Sequence, residues 1–329
     1  MNIQKKILKI ASKILADYDY IYDPEHKKNP GGGYERTEEG WSTGKSEKKQ
    51  NGNGNRLDLY KMKMKEKQRE LHEKANHEDA KVRAEAACSS WATEGLLDKL
   101  SKDEDETVRL RVAQNSSTNP STLDRLSDDK SKSVREYVGT NRKTNKNTLE
   151  KLSNDEEKVV RGGVASNPNT PSEVIEKLSN DEDWYVRCGV AQNPSSSKEM
   201  LEKLSRDESG FVKGYVGSNE NTPEKILHRL SHNEDRIVRE GVASNFKTPQ
   251  KTLERLSDDS SYIVRTALAH NGASTGKILH KLSRDWNDGV REGVASNYNT
   301  SSRTLERLTG DRSETVKRIA IECLSQRKK

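Results

Sequence analysis

Residues 160–193 read VRGGVASNPNTPSEVIEKLSNDEDWYVRCGVAQN, and this stretch holds one full period of the chain. Val160-Arg161 opens it and Val186-Arg187 repeats it. The same pairing of valine with a cation falls at 82, 108, 134, 212, 238, 264, 290 and 316. Every interval is 26 residues, with no insertion across ten copies. A fixed period of this size marks a solenoid, in which each unit buries its apolar face only by stacking on its neighbours.

Two apolar patterns alternate inside the period. Leu or Ile recurs at i and i+3, as in Ile175/Leu178 and Leu201/Leu204. Val recurs at i and i+4, as in Val160/Val164 and Val186/Val190. Both spacings place the pair on one face of a helix. The first helix is expected to open at a Thr or Ser slot (Thr118, Thr144, Thr170, Ser196, Thr222, Thr248, Ser274, Thr300) whose hydroxyl would cap it. Pro171, Pro223 and Pro249 would follow at the first helical position, and Thr170 with Glu173 would form a capping box. Asn at 115, 141, 167, 193, 219, 245, 271 and 297 would close the second helix in the left-handed conformation. Such helices are too short to stand alone. The expected fold is all-α: a right-handed α-solenoid of about ten two-helix repeats, with the first helix partly 3₁₀.

Composition bounds the function. Hydrophobic residues make up 29% of the 329 and charged residues 34%, a balance that would suggest disorder without the period. Net charge is +6, but residues 82–329 carry 41 Lys and Arg against 39 Asp and Glu. An array so nearly neutral speaks against nucleic-acid binding driven by bulk charge. Cys88, Cys188 and Cys323 form no C-x-x-C, which fits a reducing, cytoplasmic setting.

Four segments follow in order. Residues 1–20 place Ile3, Ile7, Ile10, Ala11, Ile14 and Leu15 at helical spacing among Lys5, Lys6, Lys9 and Lys13. This amphipathic helix would dock on a partner or on the array, lie on a membrane surface through residues 1–16, or act as a leader; residues 9–16 resemble leaders of some phage head proteins. Residues 21–55, with Pro30-Gly31-Gly32-Gly33 and Asn51-Gly52-Asn53-Gly54-Asn55, are expected to be a flexible, disordered linker. Gly44-Lys45-Ser46 is not a phosphate loop, because Glu39 stands where its first glycine belongs. Residues 56–81 read as a capping helix and degenerate first repeat, with Leu71 in register and Lys74 in a leucine slot. The array proper runs over 82–329.

The pattern T-P-x-x-L-x-x-L-S-x-D-x-x-x-x-V-R-x-x-V-A-x-N-P resembles the leucine-rich repeat variant family, which belongs with the HEAT-like α-solenoids, over about residues 71–329. The resemblance implies the fold and leaves function open. The founding type carries an N-terminal cysteine-ligated iron–sulfur cluster; no such cysteines occur here, so no cofactor is expected.

Stacking turns each slot into a column. One column holds the cation after Val, including Arg135, Arg161, Arg187, Arg239 and Arg265. An Asp six residues upstream, including Asp155, Asp181, Asp207 and Asp259, accompanies it in most copies. HEAT-like repeats use such a pair to bond adjacent layers, and the expected role is a structural ladder. A second, wholly basic column (Lys99, Arg125, Lys151, Lys177, Lys203, Arg229, Arg255, Lys281, Arg307) lies near a helix C-terminus, where the dipole favours cations. No catalytic motif occurs, and His228 with His232 lack a third metal ligand. The slot before Val is apolar only in the centre, at Val159, Tyr185, Phe211, Ile237 and Ile263, with Trp184 and Tyr262 beside it. The expected partner-binding residues are therefore Trp184, Tyr185, Phe211, Ile237, Tyr262 and Ile263; the plainer alternative is contact between layers. The expected function is a non-enzymatic scaffold for a protein partner, with the N-terminal helix as second contact. Its rivals are a nucleic-acid binder like the HEAT-like alkyl-base glycosylases and a structural component of a virion or other assembly.

Overall fold

The structure is a computed structural model that describes residues 36–37, 40–41 and 52–327. The chain divides into two units, Met1–Lys61 and Met62–Lys329. In the first unit β1 (Arg36–Thr37) and β2 (Gly40–Trp41) pair antiparallel, Arg36 opposite Trp41. Helix α1 (Gly52–Lys74) also begins before residue 55. Both elements fall within 21–55, the segment read from composition as a linker. The Lys-, Glu- and Met-rich run behind Asn55 favours helix, and Gly52–Asn55 costs little at the end of a 23-residue helix. The amphipathic stretch 1–20 lies outside the described residues.

In the second unit the repeats follow the period. The first helices have seven residues each: α3 (Glu94–Leu100), α5 (Pro120–Leu126), α7 (Lys146–Leu152), α9 (Ser172–Leu178), α11 (Lys198–Leu204), α13 (Glu224–Leu230), α15 (Gln250–Leu256), α17 (Gly276–Leu282) and α19 (Ser302–Leu308). The second helices have nine: α2 (Ala80–Cys88), α4 (Glu106–Gln114), α6 (Lys132–Thr140), α8 (Lys158–Ser166), α10 (Trp184–Gln192), α12 (Gly210–Ser218), α14 (Arg236–Ser244), α16 (Tyr262–His270) and α18 (Asp288–Ser296). The last, α20 (Glu314–Arg327), extends to 14. The first helices are α-helical rather than 3₁₀. The result is an all-α solenoid.

The core is the sum of the two patterns. Val160, Val164, Val186, Val190, Val212 and Val216 are fully buried, and Ile175/Leu178 and Leu201/Leu204 nearly so. Each such side chain contributes roughly 1.5–3 kcal/mol by leaving water. At the start of the array Leu71 and Ala75 are buried while most of residues 62–74 stays exposed, as a terminal cap requires. Lys74, in the leucine slot, turns outward to Glu85 (3.1 Å).

Two capping expectations are corrected. The Thr/Ser slot does not cap. Thr170 Oγ1 donates to the Val164 carbonyl at 2.6 Å, and Thr118, Thr144, Ser196, Thr222, Thr248, Ser274 and Thr300 each bond the carbonyl six residues back. These hydroxyls satisfy the end of the preceding second helix, where a free carbonyl would be buried. The cap is the next residue: Asn119, Asn145 and Ser197 accept from the backbone, while Pro171, Pro223 and Pro249 occupy the cap with no side-chain bond. The capping box of Thr170 with Glu173 is therefore not formed. Nor does the closing asparagine adopt the left-handed conformation: φ is −74° at Asn167 and −65° at Asn193, with extended ψ. Its side chain is needed elsewhere. Asn193 Nδ2 donates to the carbonyls of Ala165 (2.7 Å) and Asn167 (2.8 Å) in the preceding repeat, and its Oδ1 accepts from Ser195 N (2.8 Å). The figure recurs from Asn115 to Asn297, so each asparagine after the first bonds the backbone of the one before.

Candidate binding face and the ladders behind it

Behind the second helices runs the arginine column. Eight arginines (83, 109, 135, 161, 187, 239, 265 and 291) grip the Asp of the next repeat with two parallel bonds. Nε to Oδ2 spans 2.5–2.8 Å and Nη2 to Oδ1 2.8–3.0 Å. The Asp six residues upstream supplies only its carbonyl, as Asp181 does to Arg187 Nη1 (2.8 Å). Each arginine thus ties its own repeat to the following one. Burial alone would raise the Asp207 carboxyl; the bond from Arg187, the Ser209 amide and the nearby cations more than offset it and hold it below its ordinary value. Arg135, Arg161, Arg187, Arg239 and Arg265 therefore meet Asp155, Asp181, Asp207, Asp259 and Asp285, and their charge is spent inside the structure.

The second basic column also bonds backwards. Arg125 reaches Asp98 (2.6 Å), Lys151 reaches Asp128 (2.6 Å) and Ser127 (3.0 Å), and Lys203 reaches Ser179 (3.0 Å). Arg255 and Arg307 bond the carbonyls of Ser231 and Ser283. These cations settle on the C-terminus of the preceding repeat's first helix, where the dipole is negative.

One rung of the arginine ladder is missing. Lys213 occupies the cation slot and Asn233 the carboxylate slot of the same interface. Asn233 Oδ1 still accepts from Asp235 N (2.9 Å), as Asp207 Oδ1 does from Ser209 N (2.8 Å). The backbone is therefore set for an aspartate. Lys213→Arg together with Asn233→Asp is expected to stabilise the protein by about 1–2 kcal/mol. Each single change should give less than half of that. Denaturant melts of the four proteins of the cycle check it; a double variant no more stable than the sum of its singles would contradict it.

On the outer side of the second helices the aromatic slot behaves as two things. Trp184, Tyr185, Phe211 and Tyr262 are exposed by 41–49%. Trp184 stacks on Phe211 (centroids 5.1 Å, 24°) and meets Tyr185 edge-on (6.3 Å, 84°). Tyr185 and Ile237 also pack between layers. A Cβ on Gly162 would fall 2.5 Å from the Tyr185 ring, and one on Gly214 3.1 Å from Ile237 Cγ2. Trp184, Tyr185 and Phe211 thus form one cluster that Ile237 adjoins. Tyr262 turns away to Trp286 (6.1 Å, 70°), and Ile263 is half-buried in its own layer.

The cluster walls two adjoining hollows. One of about 350 Å³ lies over α6, α8 and α10, with Glu136, Gly162, Gly163 and Gly189 below and Trp184, Tyr185, Phe211 and Tyr215 around it. The other, of about 250 Å³, shares Phe211 and Tyr215 and adds Ile237, Glu240 and Gly241. Tyr215, Glu136, Glu240 and the glycines were not singled out by the sequence reading. The available signal was glycine inside short helices, where alanine would be more stable by about 1 kcal/mol. Cys188 borders the larger hollow, and burial pushes its thiol up to about 12, which disfavours the thiolate form. His228 and His232 share a face as their spacing implies (centroids 4.9 Å). Among the described residues no three His, Cys, Asp or Glu converge on a metal position, and no helix is long and apolar enough to cross a membrane.

The fold and its ladders define a helical repeat solenoid with interlocked layers. Residues 159–183, about one repeat, match the family model described as a leucine-rich repeat variant. A solved leucine-rich repeat variant with a novel repetitive structural motif is similar at 26% identity, over 68% of this chain and 88% of that one, with a TM-score of 0.43. An engineered protein is similar at 14% identity over 79% and 98% (TM-score 0.33). Computationally designed armadillo repeat proteins for modular peptide recognition are similar at 15% over 78% and 98% (TM-score 0.18). No curated protein matches.

Proposed function

We propose that the chain is a non-enzymatic scaffold that binds a protein segment on the outer face of α8, α10, α12 and α14, with residues 1–20 as a tethered second contact. The observation that carries this reading is the exposed Trp184–Phe211 stack beside a glycine-floored hollow. Exposed aromatic anchors beside a concavity are what binding hot spots are made of. A nucleic-acid reading finds its principal cation column already paired to aspartate, with arginine side chains only 5–13% exposed.

Trp184→Ser with Phe211→Ser tests the proposal, since both rings are half in water. Partner capture by the intact chain, quantified by mass spectrometry, should lose a defined set of proteins while the melting temperature moves by no more than a few degrees. An unchanged set, or a salt-sensitive affinity for DNA that survives the double change, would overturn it.

A further inference from the structure

The larger hollow combines aromatic walls with a carboxylate that nothing neutralises. Glu136 is half-buried and has no ion-pair partner among the described residues, although ion pairs are dense elsewhere in the array. Its carboxyl is pushed up by burial. Besides burial, Glu136 and Tyr215 push the Tyr185 hydroxyl up, which sets these groups in one neighbourhood. Across α8, α10 and α12 the slots on the side of the hollows read Val159, Gly162, Gly163 and Ser166, then Trp184, Tyr185, Cys188, Gly189 and Gln192, then Phe211, Gly214, Tyr215 and Ser218. No cation stands among them. Lys158, at the edge, is held by Asp183 at 2.8 Å. The neighbouring hollow repeats the arrangement with Glu240 beside Phe211 and Tyr215, and Glu240 also lacks an ion-pair partner among the described residues.

Glycines lie beside these groups at the contacts between layers. In α8 and α10 Gly162, Gly163 and Gly189 line the hollow and let adjacent second helices approach closely, since a Cβ at each would strike the neighbouring layer. A Cβ on Gly189 would lie 2.8 Å from Ala165 Cβ and 2.9 Å from the Gly162 carbonyl. No larger residue fits between the layers at these positions. A volume of about 350 Å³ accepts one long side chain and little more. An apolar side chain would leave the half-buried Glu136 charge uncompensated. A lysine or arginine would lay its methylenes on the rings, set its charge against their faces and offer donors to the carboxylate.

We propose that this face takes an extended peptide segment through a lysine or arginine side chain seated between Trp184, Tyr185, Phe211 and Tyr215 against Glu136, with Glu240 receiving a second cation. The inference rests on the scaffold reading above and adds the chemistry of the partner. The test uses the full chain against a random nine-residue peptide library immobilised through its termini, followed by titration of the best binders in solution. Lysine or arginine should be enriched at one position or more. Replacing that residue by norleucine, and separately Glu136→Gln, should each weaken binding about tenfold, and combining them should cost little further. Phe211→Ser should remove binding altogether. Binders that depend on Phe211 but show no cation preference, or that ignore Glu136→Gln, overturn this inference and leave the scaffold reading standing. Binders indifferent to both Phe211→Ser and Trp184→Ser overturn both. An empty library screen overturns the peptide assignment.

Discussion

Arg187→Ala will lower stability by about 3 kcal/mol or more, the cost of breaking a largely buried ion pair from one side. The guanidinium makes five bonds: two to Asp207 (2.7 and 3.0 Å), two to the carbonyls of Asp181 and Glu182 (2.8 and 3.0 Å), and one to Glu208 (3.3 Å). Removing it strands the Asp207 carboxylate, whose own side chain is only 8% exposed. Because repeats couple only to their neighbours, a cut rung in the middle should also split the melt into two steps. Lys317→Ala is the control. That cation reaches only Glu314 on its own helix (2.6 Å), where the carboxylate is exposed, and its loss should cost less than about 1 kcal/mol. The pH dependence gives a second check. The Asp207 carboxyl is depressed in the folded state, so its share of stability is complete above the ordinary carboxylate range and is lost as pH falls through the depressed value. Without Arg187, the upward push of burial on that carboxyl is opposed only by the Ser209 amide and the Lys213 charge. The stability curves of the two proteins should therefore converge in acid. Parallel curves would show that Arg187 acts by packing and not by pairing.

The solenoid was legible because its causes are local and repeated. A valine pair four apart and a leucine pair three apart can each bury only as helix, and ten copies in strict register leave no other arrangement. The layer bonds were half legible. Arginine and aspartate were visible as a pair, but in a chain of period 26 the slot six residues upstream and the slot twenty residues downstream are the same slot. Sequence alone cannot tell a bond inside the repeat from one to the next. The rest was hidden for a different reason. Thr170 and Asn193 are residues that cap helices, and local rules assign them to local duties. Thr170 instead serves the helix before it, through the carbonyl six residues back, and the partners of Asn193 are carbonyls of the preceding layer, which are in reach only once the repeats are stacked. The aromatic slot was legible as a stripe. Its break at Tyr262, which faces Trp286, and its glycine floor were not, because both depend on side chains meeting across layers.

Asn193→Ala is expected to cost about 2–4 kcal/mol, since it leaves the buried Ala165 carbonyl without a partner, takes from the Asn167 carbonyl the second of its two donors (Thr170 N remains) and frees the Ser195 amide at the turn. Asn193 is fully buried, and so are its two bonds to the preceding layer. Alanine alone cannot say which of its bonds matters, because the residue has two duties. One is to accept from Ser195 N at the turn (2.8 Å); the other is to donate to Ala165 and Asn167 in the preceding layer. Aspartate separates them. It accepts at the turn as well as asparagine does and fits the same space, but in place of the amide it sets an acceptor against two carbonyl oxygens, and a buried charge with it. If the layer bonds govern, Asn193→Asp will be at least as unstable as Asn193→Ala at neutral pH. It should recover part of the difference in acid, when the protonated carboxyl can donate to one carbonyl. The sign follows from linkage: a carboxyl raised by burial binds its proton more tightly folded than unfolded, so stability grows as pH falls through the raised value. If the turn governs, Asn193→Asp will melt close to the parent protein at neutral pH, and the run of asparagines from 115 to 297 would have to be reassigned from a spine between layers to a row of separate turns. Thermal melts of the two variants across pH 4–8 decide it.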